Sequence, residues 1–312
     1  MIKRLPLTVI GGFLGAGKTT LLNDWLNDAK GQRLAVLVND FGALNIDAAL
    51  IAQSGADAIE LSNGCVCCSI GDDLSAALIR VIESETPFDA VVIEASGVSD
   101  PWKIAQVGRA DPALDLNSVI VLVDASAVTG QAADPLLADS LERQVKSADL
   151  VVINKTDLAD ADELKQVHAW LDRIAADVPR FETRDARVPS ALRDGPSIDV
   201  ARQHDQHDHA GGHDHSHGEQ FETWLARPAS PMSSQALRSA LRSMPSGVLR
   251  MKGFVRIEDG EWAELQFAGR QGTLRRLQLS PVNEPVLIAI GLNGLLPRAA
   301  LDALIAGAAN GS

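Results

Sequence analysis

The 312-residue chain has no tyrosine, and its aromatic residues amount to 4% of the total. Hydrophobic residues reach 46%, enough for a sizeable core, so that core has to be aliphatic. Positive charge is also scarce. Against 41 Asp and Glu stand 28 Lys and Arg, a formal net charge of −13. That balance argues against a nucleic-acid binder, which needs a basic footprint. It does not argue against a nucleotide, whose phosphates need only a local positive potential. Long apolar runs are lacking too. "LTVIGGFLGAG" near the start is too short for a span and has no signal-peptide cleavage context, so no membrane partner is expected. Cysteine is confined to Cys65, Cys67 and Cys68. An odd number with two adjacent excludes a disulfide framework and predicts a reducing compartment, most simply the cytoplasm.

What is present is an alternation. The β-branched runs "LTVI", "RLAVLV", "AVVIEA", "SVIVLVD" and "LVVIN" are apolar throughout, as in strands covered on both faces. Helical patterns separate them over 18–29, 72–83, 134–146 and 160–176. This predicts an α/β fold with a mostly parallel sheet flanked by helices over 1–183. Residues 184–219 carry Pro, Gly, Asp and six of the seven histidines, and read as an exposed linker or loop. Over 220–312, four strand-like runs from "VLRMKGFVRI" to "VLIAIGL" lie between helices expected at 233–243 and from Pro297 to about Gly307. They predict a small α+β domain with an antiparallel sheet.

"GGFLGAGKTT" contains G-x-x-x-x-G-K-T as Gly12, Gly17, Lys18 and Thr19. Here it follows a strand and opens a helix, the context of a P-loop. Tight turning lets successive N–H groups, with Gly15, Ala16 and Thr20 in the same cradle, face phosphate oxygens. Lys18 would reach the β- and γ-phosphates, and the Thr19 hydroxyl would ligate Mg²⁺. Glu94, at the end of "VVIE", is placed to complete the magnesium site, and Gly97 to offer an N–H near the γ-phosphate. "VVINKTDL" supplies N-K-x-D as Asn154, Lys155 and Asp157 after a later strand. Guanine presents N1–H and N2–H₂ side by side, and a carboxylate accepts both. Adenine lacks that pair and would leave the carboxylate partly unpaired. Lys155 can lay its stem along the base and Asn154 can brace the loop. The expected nucleotide is therefore GTP, with a P-loop kinase of ATP preference as the rival reading.

Cys65 and Cys67 are two apart, so an extended segment places both sulfurs on one side, and Gly64 lets Cys68 turn in. Three thiolates can converge on a soft cation such as Zn²⁺, leaving a fourth position for a carboxylate, histidine or water. Taken together, "GGFLGAGKTT", "VNDFG", "NGCVCC", "IEASGVSDP" and "NKTDL" resemble the CobW-like family of metal-chaperone GTPases, and "RMKGFVRIED" and "QFAGR" resemble that family's second domain. The resemblance covers nearly the whole chain. It implies a P-loop GTPase, of a class that dimerises, that hydrolyses GTP. It implies a C-X-C-C metal site between phosphate loop and switch, and delivery of metal to a client metalloprotein. The zinc chaperones are the most similar subgroup, with cobalt handling for cobalamin or nitrile hydratase as the alternative.

The family often carries "NEFGE" at the first switch. This chain has Asn39, Asp40, Phe41, Gly42 and Ala43 there, so Asp40 keeps the first charge and the second is absent. Asp40 is the candidate for orienting the attacking water, alongside Lys18 and Glu94 as catalytic residues. Asp47 or Glu60 is the carboxylate available to the thiolates. "HDQHDHAGGHDHSHG" adds His204, His207, His209, His213, His215 and His217 as an auxiliary, exchangeable site for Zn²⁺ or Co²⁺. A metal buffer dominated by that loop is the remaining rival. His168, on an expected helix, reads as structural or surface.

Overall fold

The computed structural model describes residues 4–29, 31–38, 57–60, 70–188, 192, 221–268, 271–278 and 284–309. The chain divides into two compact units, Met1–Arg193 and Asp194–Ser312. Among the described residues no helix is long and apolar enough to cross a membrane.

The first unit is built on a seven-stranded sheet whose strands are β1 (Leu5–Gly12), β2 (Leu34–Val38), β3 (Asp57–Glu60), β4 (Ala90–Glu94), β5 (Leu114–Asp124), β6 (Leu150–Asn154) and β7 (Arg180–Glu182). Their order across the sheet is β3-β2-β4-β1-β5-β6-β7, and every pairing is parallel. Strands β2, β4 and β6 are buried at every position, which is why they read as unbroken apolar runs. Each Leu, Ile or Val so buried contributes about 1.5–3 kcal/mol. The chain leaves β1 to one side for β2 and β3, returns to β4, and then crosses to β5 on the other side. The crevice at such a reversal, above the carboxyl ends of the strands, is where an open α/β sheet binds its ligand.

The flanking helices are α1 (Lys18–Asn27), α2 (Ile70–Ile82), α3 (Pro101–Ala110), α4 (Val128–Ala133), α5 (Ala138–Ser147) and α6 (Ala161–Ala175). Their starts follow local chemistry. Asp100 accepts the Trp102 N–H at 3.0 Å with Pro101 at the first helical position. Asp160 and Glu163 form a capping box at the head of α6. The helix expected over 134–146 begins only at Ala138, preceded by the short α4. Helix α3 and strands β3 and β7 are additions to the sequence reading. The two strands run four and three residues, too short for a period, but "SDP" ahead of α3 is a start signal in its own right.

The second unit holds β8 (Phe221–Ala226), β9 (Val248–Arg256), β10 (Trp262–Ala268), β11 (Gln271–Leu277) and β12 (Val286–Leu292), with α7 (Ser234–Arg242) and α8 (Arg298–Ala309). The sheet is antiparallel in the order β11-β10-β9-β12-β8. Its core joins Trp224, Met251, Val255, Leu265 and Leu287 to Leu237 and Leu301 of the helices. This is the α+β arrangement that the clustered strand signals predict, with β8, ahead of α7, as a fifth strand that the sequence reading lacks.

Candidate active site

The loop 13–17 links the end of β1 to the head of α1, and α1 starts without a side-chain cap. Its first N–H groups therefore lack intrahelical partners, and its positive end faces the crevice, a ready anion site. Gly17 is left-handed, with φ 105°, and a Cβ there would lie 2.3 Å from Asn154 Nδ2. Only glycine fits. A cavity of about 310 Å³ opens at this point, lined by Leu14, Gly15, Gly17, Lys18, Thr19, Thr20, Val38, Glu94, Ser96 and Gly97.

Lys18 is buried, and its Nζ donates to the Phe13 carbonyl at 3.3 Å. Thr19 Oγ1 lies 3.3 and 3.5 Å from the two carboxylate oxygens of Glu94, which is also buried. Register explains that meeting. Glu94 pairs with Ile10, and Ala95 N–H continues the ladder to the Ile10 carbonyl, so the acid emerges beside the phosphate loop. A hydroxyl and a carboxylate side by side on the wall of this cavity make a hard oxygen donor pair, of the kind that suits Mg²⁺. Gly97 is pressed against the loop, since a Cβ on it would sit 2.8 Å from Leu14 N. The Ser96–Ser99 turn that carries it is closed by Ser99 N–H donating to the Ser96 carbonyl at 3.0 Å.

Asn154, buried at the end of β6, ties the loop after β6 to the loop 13–17. Its Nδ2 donates to the Ala16 carbonyl at 2.9 Å, and its Oδ1 accepts the Ala186 N–H at 2.8 Å. Lys155 has φ 61°, and its Nζ donates to Asp124 Oδ2 at 2.7 Å. Thr156 is held by the Thr183 carbonyl, while Asp157 stands exposed at the loop's edge, open to a ligand. The segment after β7 takes part: Ala186 reaches Asn154, and the Val188 carbonyl accepts Trp25 Nε1–H from α1. Residues 184–188 are thus part of the site's scaffold although their composition reads as linker.

Three contributors escaped the sequence reading. Asp124 ends an apolar strand just as Glu94 does, so the same rule could have found it. Ala186 works through its backbone and leaves no sequence signal. Gln144, on α5 and 2% exposed, donates through Nε2 to the Gly97 carbonyl at 3.0 Å, while its Oε1 is buried without a partner. An orphan acceptor of that kind costs about 1–3 kcal/mol. Of the other candidates, the side chain of Glu60 is not described. Asp40, Asp47, Cys65, Cys67, Cys68, His204, His207, His209, His213, His215 and His217 lie outside the described residues. His168 is accounted for by Glu182, whose Oε1 is 2.7 Å from His168 Nε2.

The Asp124–Lys155 pair gives a pH prediction. Burial alone pushes the Asp124 carboxyl up, but the Lys155 ammonium and the Ser126 hydroxyl and N–H outweigh it and hold it below the ordinary carboxylate value. The folded pKa is therefore below the unfolded one. Its contribution is complete above the unfolded value and is lost as pH falls through the folded one. Urea unfolding of wild type and Asp124→Asn is expected to differ by a constant amount from neutral pH down to about 5, and by progressively less below about 4. A gap unchanged at low pH would mean that ionised Asp124 adds nothing.

Comparisons with known proteins complete the description. The family model "CobW/HypB/UreG, nucleotide-binding domain" matches residues 6–182. The model "Cobalamin synthesis protein cobW C-terminal domain" matches residues 221–309. A zinc chaperone CobW from Sinorhizobium sp is 32% identical over 288 residues, covering 80% of this chain and 81% of the relative. The zinc chaperone YjiA of Escherichia coli strain K12 is 38% identical over 196 residues, 60% of each chain. The zinc-regulated GTPase metalloprotein activator 1 of Schizosaccharomyces pombe is 32% identical over 197 residues, 59% of this chain and 47% of the relative.

Proposed function

The chain belongs to the CobW/HypB/UreG family and is a P-loop GTPase, and from that premise we propose that it is a zinc carrier whose grip on the metal follows the nucleotide it holds. Residues 1–193 supply the GTPase and 220–312 the CobW-type domain, with the histidine-rich stretch between them in the sequence. The observation that carries the nucleotide half is the Thr19–Glu94 meeting beside buried Lys18 at the head of α1. In this reading Thr19 and Glu94 hold Mg²⁺, which would draw charge from the phosphates. Lys18 and the first N–H groups of α1 take the β- and γ-phosphates, and the Gly97 turn faces the γ-phosphate. Asp157 takes guanine with the Lys155 stem along the base, Asn154 braces their loop against the phosphate loop, and Asp40 orients the attacking water.

The metal half rests on the C-X-C-C sequence and on the names of the relatives, two of them zinc chaperones. Cys65, Cys67 and Cys68, with Glu60 or Asp47, bind Zn²⁺ as cargo for a client metalloprotein, and the histidines gather it. The segment holding Asp40 begins directly after β2, and β3 leads toward the cysteines. These two strands are neighbours in the sheet, with Val38 opposite Glu60. The switch segment and the cysteine segment therefore continue, in the sequence, from the ends of two paired strands, and the proposed coupling would pass through that pair.

Zinc titration in the presence of a non-hydrolysable GTP analogue or GDP tests the coupling. The two dissociation constants are expected to differ by about 5- to 150-fold, the span of ordinary allosteric coupling. Equal constants would remove the nucleotide-controlled carrier. A Co²⁺ titration in the same format tests the cobalt alternative, which requires the nucleotide-dependent difference to appear for Co²⁺ and to be absent for Zn²⁺, since raw affinity does not report the physiological ion.

A further inference from the structure

We propose that Gln144 is a positioning residue that sets the direction of the Gly97–Val98 peptide and thereby biases the phosphate cavity toward GTP over GDP. The proposal rests on the reading that the Gly97 turn faces the γ-phosphate. Gln144 lies on the inner face of α5 with Leu141 and Val145, where a hydrocarbon side chain would be the ordinary occupant. Instead there is a carboxamide with one half used and one half idle. Nε2 donates to the Gly97 carbonyl, and Oε1 is buried with no partner.

The idle half has a use if the peptide has two directions. In a trans peptide the N–H and the C=O point to opposite sides. With the Gly97 carbonyl drawn to Gln144, the Val98 N–H is turned away from α5 and the carbonyl is kept from facing the phosphates. If the peptide reverses, the Val98 N–H meets Gln144, whose Oε1 accepts it after rotation of the amide. Glutamine offers both a donor and an acceptor at one point, so it can hold either state, and one half is always idle. Glycine is the residue best able to allow such a reversal. Gly97 borders the cavity and touches the phosphate loop at Leu14, so the peptide's direction is felt where the third phosphate would lie.

Two substitutions separate the halves. Gln144→Leu removes both, and Gln144→Glu keeps an acceptor but has no donor when ionised. Affinities for GTPγS and GDP are measured by displacement of a fluorescent nucleotide from the full-length protein. The ratio of GTPγS to GDP affinity is expected to fall about tenfold in Gln144→Leu, as for the loss of one buried hydrogen bond. It is expected to fall at least as far in Gln144→Glu. GDP affinity should fall less than GTPγS affinity in the leucine variant, and an unfolding curve confirms that it is folded at the assay temperature. A purely structural role would weaken both nucleotides together and leave the ratio within twofold, which overturns the proposal. Gly97→Ala, measured alongside, tests the underlying reading. If it lowers the ratio while both Gln144 variants keep it, the reading stands and Gln144 is not the device. If Gly97→Ala also leaves the ratio unchanged, the turn does not face the γ-phosphate and both fail.

Discussion

Replacing Lys18 with alanine is expected to lower kcat/KM for GTP by about 10²–10³-fold, the usual cost of removing one preorganised group that stabilises transition-state charge. The ammonium is buried at the head of α1, within a cavity whose other charged wall is Glu94. The hydrogen bond from its Nζ to the Phe13 carbonyl, 3.3 Å long, is at the weak end of its kind. The α1 N–H groups and Thr19 remain in the variant, so residual binding should outlast turnover. Steady-state phosphate release and fluorescent-nucleotide titration read the two effects separately. Wild-type turnover in Lys18→Ala would remove the phosphate-site assignment. Wild-type zinc delivery combined with abolished turnover would favour the histidine-rich buffer instead.

Asp157→Asn should change which base the protein prefers. An ionised carboxylate offers acceptors to both N1–H and N2–H₂ of guanine, and asparagine offers one acceptor and one donor. The donor then meets the guanine amino group, so a good contact becomes an opposed one. One hydrogen bond to a charged group, worth about 1.5–3 kcal/mol, is replaced by two facing donors and the other is weakened to a neutral one, so GTP affinity is expected to fall about a hundredfold. Xanthine has a carbonyl where guanine has the amino group, so it matches asparagine, and xanthosine triphosphate should become the preferred ligand. The fold should tolerate the change, because Asp157 is exposed and the loop is held by other contacts. These are Asn154 to Ala16 and Ala186, Lys155 to Asp124, and Thr156 to Thr183. Unchanged ranking of the two nucleotides in a competition assay would detach Asp157 from base recognition.

Glu94 and Asp124 mark how far the primary structure could be read. Both end apolar strands of the central sheet, and both emerge at the carboxyl edge. The position of Glu94 beside Thr19 was legible because it ends an apolar strand with a glycine following closely. Asp124 carried the same positional signal, but no motif asked for it. Its role became visible only when strand pairing set it level with Asn154 and brought the Lys155 ammonium within 2.7 Å. Helix α3 was likewise announced by its cap, whereas β3 and β7 are edge strands too short for any period.

By itself the sequence determined most of the elements and the motifs that propose the chemistry. Period and cap residues depend on neighbours a few positions apart, and the G-x-x-x-x-G-K-T and N-K-x-D patterns carry their ligand preferences within a few residues. Tertiary structure alone decided which distant groups meet. Gln144 reaches Gly97 across 47 positions, Asn154 reaches Ala16 across 138, and Trp25 reaches Val188 across 163. Such contacts are fixed by strand order and by helix packing against the sheet, long-range quantities that a local pattern does not encode.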